Sequence, residues 1–143
     1  MIDKRQSAIS SKTANLDLYA IVDSAERVQQ VVQAGVKLVQ LRIKTPDAPD
    51  AQWHAALRHA HTEALAACRA AQATLVVNDH WRLAAEMAAS DKNGLAVHLG
   101  QEDLLALGEA GRAELRASDL KVGISSHSLW ELARARSLAP WYV

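Results

Sequence analysis

Short apolar runs rich in β-branched residues alternate along this chain with longer, alanine-rich segments of helical period. Strands that are joined through helices pair in parallel, because each connecting helix returns the chain to the end of the sheet at which the previous strand began. The alternation therefore predicts an α/β fold built from repeated βα units. The predicted strands cover residues 18–22, 37–43, 74–77, 95–99 and 121–125, and a sixth run begins at 141–143. The predicted helices cover residues 25–34, 50–71, 81–88, 104–116 (with a break allowed) and 129–138.

Several helix boundaries carry local sequence signals. Gly35 follows the first predicted helix, where a left-handed residue is favoured. Asp50 comes after a proline-containing loop and is a suitable N-cap for the second helix. Ser128 and Glu131 form the Ser-x-x-Glu pattern of a capping box, and Pro140 ends the last helix. These signals support the placement of helices between the strands.

Length and charge exclude several classes of protein. The chain has 143 residues, with 16 Lys and Arg against 16 Asp and Glu, so no excess positive charge is available for a nucleic-acid backbone. Its apolar runs are shorter than the roughly 18 residues that a membrane helix needs. The single Cys68 cannot form an internal disulfide, and residues 1–16 are polar and lack the apolar core of a signal peptide. We therefore expect a cytoplasmic protein with a polar tail, 1–16, and one β/α domain, 17–143.

Polar residues follow the predicted strands at their carboxyl ends, where parallel β/α folds bind their ligands. Gln40, Arg42 and Lys44 are spaced two residues apart, so they share one face of the second predicted strand. Arg and Lys side chains at this position indicate an anion site, because both bind phosphate oxygens. The same alternation is also typical of the solvent-exposed face of an edge strand. The place of this strand within a βα series favours the anion site.

Two carboxylates follow the next two strands. Asp79 and Asp103 together can hold a divalent cation, and Mg²⁺ is the natural candidate because it combines one or two carboxylates with water and phosphate oxygens. The alternative for Asp79 is to cap the helix that begins near Trp81. Ser125 and His127, after the fifth strand, allow a nucleophile and base or simple hydrogen bonding to a ligand. The lack of a Gly-x-Ser-x-Gly motif favours hydrogen bonding.

The other histidines carry weaker signals. His54 and His61 lie seven residues apart on one helical face, which predicts a solvent-exposed face rather than a metal site. His98 alternates with apolar neighbours on the fourth strand, which predicts an interior imidazole with satisfied hydrogen bonds. None of these residues is therefore assigned to the chemistry.

Four ordered motifs together resemble those of one enzyme family. They are Gln-Leu-Arg-Ile-Lys at 40–44, Val-Asn-Asp-His-Trp-Arg-Leu-Ala at 77–84, Val-His-Leu-Gly-Gln-Glu-Asp-Leu at 97–104 and Val-Gly-Ile-Ser-Ser-His at 122–127. They resemble the thiamine phosphate synthase family, and the resemblance covers essentially all of residues 17–143. It implies a (β/α)8 fold of TIM-barrel type, of which about the first five to six βα units are present in this chain.

The resemblance implies a Mg²⁺-dependent transferase with small-molecule substrates. The reaction joins the pyrimidine of hydroxymethylpyrimidine diphosphate to the nitrogen of thiazole phosphate, giving thiamine monophosphate and pyrophosphate. The diphosphate leaves first, and the thiazole nitrogen then attacks the pyrimidine cation. Carried over by motif, the residues that contact the pyrimidine diphosphate are Gln40, Arg42, Lys44, Asn78 and Ser125. The magnesium ligands implied in the same way are Asp79 and Asp103.

The family pattern continues with a Pro-Thr-x-Thr-Lys loop for thiazole phosphate, and this chain contains no such loop. We therefore expect no thiazole-phosphate-binding residue within the chain. Because a complete barrel takes about 200 to 250 residues, we expect the chain to be the N-terminal portion of a longer enzyme. Two alternatives stay open, a thiazole tautomerase-like paralogue and a non-catalytic half-barrel that only binds ligand. The Gln-x-Arg-x-Lys and Asn-Asp motifs favour the synthase, and a homo-oligomer is compatible with the sequence.

Overall fold

The structure, a computed structural model, describes residues 18–143. Five strands form one parallel sheet whose spatial order is the order along the chain. The strands are β1 (Tyr19–Val22), β2 (Leu38–Leu41), β3 (Thr74–Asn78), β4 (Leu95–Leu99) and β5 (Lys121–Ile124). The helices are α1 (Ala25–Gln33), α2 (Ala51–Ala70), α3 (Trp81–Ser90), α4 (Gln101–Ala106), α5 (Gly108–Ala117) and α6 (Leu129–Ala135), and a 3-10 turn (Arg136–Leu138) follows α6.

Each strand lies next to the one that precedes it in sequence, which is the winding of a β/α barrel. The sixth run continues the sheet beyond β5. The N–H of Trp141 donates to the Val122 carbonyl at 2.7 Å, and the N–H of Ile124 donates to the Tyr142 carbonyl at 3.1 Å. Tyr142 thereby forms a parallel bridge with Gly123. The predicted α/β fold of TIM-barrel type, with five to six βα units in this chain, is confirmed.

Side chains cap two of the helices as the sequence predicts. Asp50 Oδ1 accepts from the N–H of Trp53 at 2.7 Å at the start of α2. Ser128 Oγ accepts from the N–H of Glu131 at 3.2 Å at the start of α6. The Glu131 carboxylate in turn accepts from the N–H of His127, one residue before the position that a capping box requires. The reciprocal bond of the predicted box is therefore displaced by one residue.

The helix predicted at 104–116 is two helices, and its predicted start is wrong. α4 begins at Gln101, with Gly100 as an extended N-cap. The allowed break is present at Leu107, between α4 and α5. The next residue, Gly108, has a φ of +61°, a left-handed conformation that glycine adopts at little cost. Asp103 therefore lies in the first turn of a helix that follows β4 directly.

Alternate residues of the strands face two different environments. One face packs against the helices and is apolar: Val39, Leu41, Leu75, Val77, Val97, Leu99 and Ile124. The opposite face carries a small apolar cluster near the beginning of the strands, formed by Leu38, Val76 and Ala96. The same face becomes polar near the carboxyl ends, at Gln40, Asn78 and His98. Strand alternation thus concentrates polar side chains at one end of this second face, which we call the inner face of the sheet.

Within residues 18–143, no helix has both the length and the apolar character required to cross a bilayer. The polar tail predicted at 1–16 lies outside the described residues. The domain boundary at residue 17 stays a prediction.

The prediction that His61 lies on a solvent-exposed helix face is wrong. His61 is four residues from both Leu57 and Leu65, so it lies on the apolar stripe of α2 and is fully buried. Its Nδ1 donates to the Leu57 carbonyl at 2.8 Å. In the part of the chain that the structure describes, Nε2 has no hydrogen-bond partner. Burial lowers the pKa of His61; the nearby His80 acts in the same direction and the Leu57 carbonyl in the opposite one.

His61 is expected to make the fold sensitive to acid. A histidine has a pKa of about 6.5 in an unfolded chain, so the lower pKa of the folded state means that unfolding takes up a proton as the pH falls. The stability that neutral His61 contributes is complete above about pH 6.5 and is lost toward the lower folded pKa. His61→Leu should therefore lose less free energy of unfolding than wild type between about pH 7 and pH 5. Urea unfolding at both pH values measures this, and equal losses would contradict it.

Candidate functional site

A cavity of about 710 Å³ opens at the carboxyl ends of the strands. Six of the seven residues predicted to bind substrate or metal line it: Gln40, Arg42, Asn78, Asp79, Asp103 and Ser125. Another cavity, of about 600 Å³, lies between α1 and α2 and is lined by none of them. The polar cavity at the strand ends is therefore the candidate functional site.

Gln40 and Arg42 line this cavity, but Lys44 does not. β2 ends at Leu41, so the prediction that all three side chains share one face of a strand is wrong. The N–H of Arg42 still donates to the Val22 carbonyl at 2.8 Å, which continues the sheet by one residue. Lys44 lines an adjoining cavity of about 400 Å³, which Arg42 lines as well. Arg42 thus borders both cavities.

His80 holds the segment that follows β2. Its Nε2 donates to the Ile43 carbonyl at 2.8 Å. Because Ile43 lies between Arg42 and Lys44, this bond ties the cationic segment to the turn after β3. Beyond Leu41, where β2 ends, the backbone of this segment is therefore held by the His80 side chain.

Asp79 does not cap α3, so the capping alternative is wrong. The N-cap position is His80, and no side chain caps this helix. Asp79 has a φ of +63°, a left-handed conformation that Asp tolerates better than most residues. The N–H of His80 donates to the Asn78 carbonyl at 2.7 Å and closes the turn. The Asp79 carboxyl is instead a neighbour of the Asp103 carboxyl, whose pKa it helps burial to raise.

The Asp79 and Asp103 carboxyl groups form a close pair. Burial, followed by the neighbouring Asp79 carboxyl, raises the pKa of Asp103, while the Gly100 N–H and His80 act in the opposite direction. Two carboxylates this close favour a proton or a cation between them. This oxygen donor set fits Mg²⁺, which completes its coordination with water and phosphate oxygens. Within residues 18–143, no group of three or more His, Cys, Asp or Glu is arranged to hold a metal.

A chain of hydrogen bonds joins Gln40 to Ser125 through three other side chains. Ser125 Oγ lies 2.7 Å from His98 Nε2, and His98 Nδ1 lies 2.9 Å from Tyr142 Oη. Tyr142 Oη lies 2.5 Å from Tyr19 Oη. Tyr19 Oη in turn accepts from Gln40 Nε2 at 2.6 Å. These contacts cross the inner face of the sheet from β2 to the segment after β5.

Comparison with known proteins assigns the chain to a family. Residues 17–143 match the profile of the family described as Thiamine monophosphate synthase. The chain belongs to the thiamine monophosphate synthase family. It is 46% identical over 125 residues to the thiamine-phosphate synthase of Rhizobium etli, covering 87% of this chain and 54% of that protein.

Other members of the thiamine monophosphate synthase family give the same picture. The identity to the thiamine-phosphate synthase of Neisseria meningitidis serogroup A is 38% over 128 residues, which cover 90% of this chain and 56% of that protein. The identity to the thiamine-phosphate synthase of Yersinia pestis is 39% over 133 residues, which cover 93% of this chain and 55% of that protein. The chain therefore spans about half the length of the curated relatives that it matches.

In this member of the thiamine monophosphate synthase family, His98 lies at the site although the sequence assigned it no role there. The predicted satisfied imidazole is confirmed, since both ring nitrogens have partners. Burial, followed by the Arg42 guanidinium, lowers the pKa of His98, and Asp103 acts in the opposite direction. The strand alternation that places Ala96 inside also places His98 inside, and this was the signal that could have found it.

Gln101 is a second residue that the sequence did not assign to the site. Its Nε2 donates to the Ser125 carbonyl at 2.7 Å, and its Oε1 accepts from Arg134 Nη1 at 3.3 Å. Gln101 therefore connects the first turn of α4 to the segment after β5 and to α6. This connection fixes the backbone of Ser125 at the edge of the cavity.

Position 123 is expected to accept only glycine, because the Tyr142 ring packs directly against its backbone. A Cβ at position 123 would overlap the Tyr142 side chain. Gly123→Ala should therefore displace Tyr142 and destabilise the fold by about 1–3 kcal/mol. In a Tyr142→Ala background the same change should cost little, because the overlap is gone. Chemical denaturation of the two single variants and the double variant measures the difference, and an equal cost in both backgrounds would contradict this account.

Proposed function

We propose that the chain provides the pyrimidine diphosphate site of a thiamine phosphate synthase. The reaction transfers the hydroxymethylpyrimidine group from its diphosphate to the nitrogen of thiazole phosphate, giving thiamine monophosphate and pyrophosphate. The observation that carries the proposal is that Arg42, Asp79 and Asp103 line one cavity. Membership of the family supports the assignment.

The cationic side chains act on the leaving group. The bond between the pyrimidine methylene carbon and the diphosphate oxygen breaks, and the electron pair goes to the diphosphate. Arg42 binds phosphate oxygens through two N–H groups, and Lys44 adds a positive charge from the adjoining cavity. Preorganised positive charge of this kind stabilises the negative charge that develops on the diphosphate.

Asp79 and Asp103 would hold Mg²⁺ at the same end of the cavity. Bound there, the ion would supply further positive charge toward the diphosphate oxygens. Asp79 lies in the left-handed turn after β3, and Asp103 lies in the first turn of α4. These two residues therefore set the place where the diphosphate binds.

The remaining polar residues orient the pyrimidine. Gln40, Asn78 and Ser125 line the cavity and have hydrogen-bonding atoms at the carboxyl ends of β2, β3 and β5. The thiazole nitrogen attacks with its own lone pair, so the new C–N bond forms without a general base. The proposal places this reaction in the cytoplasm, where a lone buried thiol such as Cys68, whose pKa burial raises to about 12, stays reduced.

An assay with both substrates tests the proposal. A protein that carries this chain together with a thiazole phosphate site should convert hydroxymethylpyrimidine diphosphate and thiazole phosphate, in the presence of Mg²⁺, to thiamine monophosphate and an equal amount of pyrophosphate. Arg42→Gln should lower the rate about a hundredfold or more, as loss of a preorganised donor does. Binding of the diphosphate without turnover would identify a non-catalytic binding chain. Aromatisation of the thiazole without pyrophosphate release would identify a tautomerase, and either result would overturn the synthase assignment.

A further inference from the structure

The hydrogen bonds from Gln40 to Ser125 form one unbroken series of five side chains. The series runs from Gln40 to Tyr19, then to Tyr142, His98 and Ser125. Gln40, Tyr19, His98 and Ser125 line the cavity, whereas Tyr142 lies against Gly123 and links Tyr19 to His98. Because each member is hydrogen-bonded to the next, the direction of the bond at one end determines the direction of the bonds along the rest of the series.

The amide of Gln40 sets the direction of the series. Gln40 Nε2 is a donor only, so the oxygen of Tyr19 accepts from it. The Tyr19 hydroxyl proton then has Tyr142 Oη as its acceptor, and the Tyr142 proton has His98 Nδ1. If Tyr142 donated to Tyr19 instead, two donors would converge on Tyr19 and its own proton would have no acceptor in the series.

The same direction fixes the tautomer of His98. With Nδ1 accepting from Tyr142, the ring proton is on Nε2, which donates to Ser125 Oγ at 2.7 Å. The Ser125 hydroxyl is then free to donate its proton into the cavity. At the other end, Gln40 keeps its carbonyl oxygen as an acceptor for the ligand. His98 in this tautomer is not a base for Ser125, so Ser125 is not an activated nucleophile.

We propose that Tyr19, Tyr142 and His98 are positioning residues that fix the hydrogen-bond polarity of the site. They hold Gln40 as an acceptor and Ser125 as a donor toward the cavity. The site is thereby specific for a heteroaromatic ligand with an amine that donates to Gln40 and a ring atom that accepts from Ser125. The specificity part of the proposal rests on the proposed function, whereas the polarity itself does not.

The tautomer of His98 tests the polarity without any substrate. Nitrogen NMR of protein labelled in histidine distinguishes a proton on Nε2 from a proton on Nδ1, and His98→Gln identifies the signals among the six histidines. We expect the proton on Nε2. A proton on Nδ1 would mean that the series runs in the opposite direction and would overturn the proposal.

Gln40→Glu tests whether the series is connected. A carboxylate at position 40 can only accept, so Tyr19 must donate to it and the whole series reverses. We expect the His98 proton to move to Nδ1 although residue 40 does not touch His98. Gln30→Glu adds the same charge on an exposed face of α1 and should leave the tautomer unchanged. An unchanged His98 tautomer in Gln40→Glu would overturn the connection.

Tyr19→Phe tests the specificity. Calorimetry should show that the wild-type protein binds hydroxymethylpyrimidine diphosphate at least about a hundredfold more tightly than the analogue with an oxo group in place of the amine. Tyr19→Phe frees the Gln40 amide to rotate, so the ratio should fall to within about tenfold. Thr62→Val, which removes an exposed hydroxyl on α2, should keep the wild-type ratio. Equal weakening of both ligands by Tyr19→Phe would overturn the positioning role, whereas a wild-type protein that binds neither ligand would instead overturn the proposed function.

Discussion

Arg42→Gln is expected to weaken the binding of hydroxymethylpyrimidine diphosphate by about 10- to 100-fold. Arg42 borders both cavities at the strand ends, and charge-assisted hydrogen bonds to phosphate contribute about 1.5–3 kcal/mol each. The glutamine keeps much of the side-chain length and removes the charge. Titration calorimetry in the presence of Mg²⁺ measures the change directly.

Two further variants calibrate the result for Arg42. Arg116→Gln removes the same charge from the exposed end of α5, so it should leave the affinity within about twofold of wild type. Lys44→Gln should have a smaller effect than Arg42→Gln, because Lys44 lines only the adjoining cavity. Equal affinities of wild type and Arg42→Gln would remove the guanidinium from the diphosphate site.

Asp103→Asn is expected to abolish the Mg²⁺ dependence of diphosphate binding. The variant keeps the shape of the side chain but leaves Asp79 as the only carboxylate of the pair, which is a poor site for a hard divalent cation. It also removes the two causes that raise the pKa of Asp103, the burial of its carboxyl and the repulsion by Asp79, so the metal-free variant should be at least as stable as wild type. Calorimetry with and without Mg²⁺, together with thermal unfolding, separates loss of the metal from loss of the fold.

Glu109→Gln is the matched control for Asp103→Asn. It removes one carboxylate from an exposed position of α5, away from the cavity, and should leave the Mg²⁺ dependence unchanged. An Asp103→Asn protein that still binds the diphosphate more tightly with Mg²⁺ would rule out Asp103 as a ligand. A variant that unfolds without Mg²⁺ would show that the repulsion argument is wrong.

The sequence predicts the features of the fold that depend on local pattern. The order of strands and helices follows from apolar runs and caps such as Asp50, and the inner position of Gln40 follows from strand alternation. The close approach of Asp79 and Asp103 follows from parallel pairing, because β3 and β4 are neighbours and their carboxyl ends meet. Local pattern and one topological rule are enough for these features.

Features that depend on distant contacts are not predictable in this way. The bond between Tyr19 and Tyr142 joins residues 123 positions apart, and no local pattern signals it. After β2 ends at Leu41, His80 from another turn binds the Ile43 carbonyl, and Lys44 lies in the adjoining cavity; no local pattern predicts this contact. The burial of His61 depends on which stripe of α2 meets the sheet, and the sequence alone leaves that choice open.

The most direct test of the central claim is a calorimetric titration of hydroxymethylpyrimidine diphosphate into the purified protein, with and without Mg²⁺. A cavity that combines Arg42 with the Asp79 and Asp103 pair should bind one equivalent of the diphosphate, at least about tenfold more tightly when Mg²⁺ is present. No binding in the presence of Mg²⁺, or an affinity that Mg²⁺ does not change, would contradict the assignment of this cavity to the diphosphate.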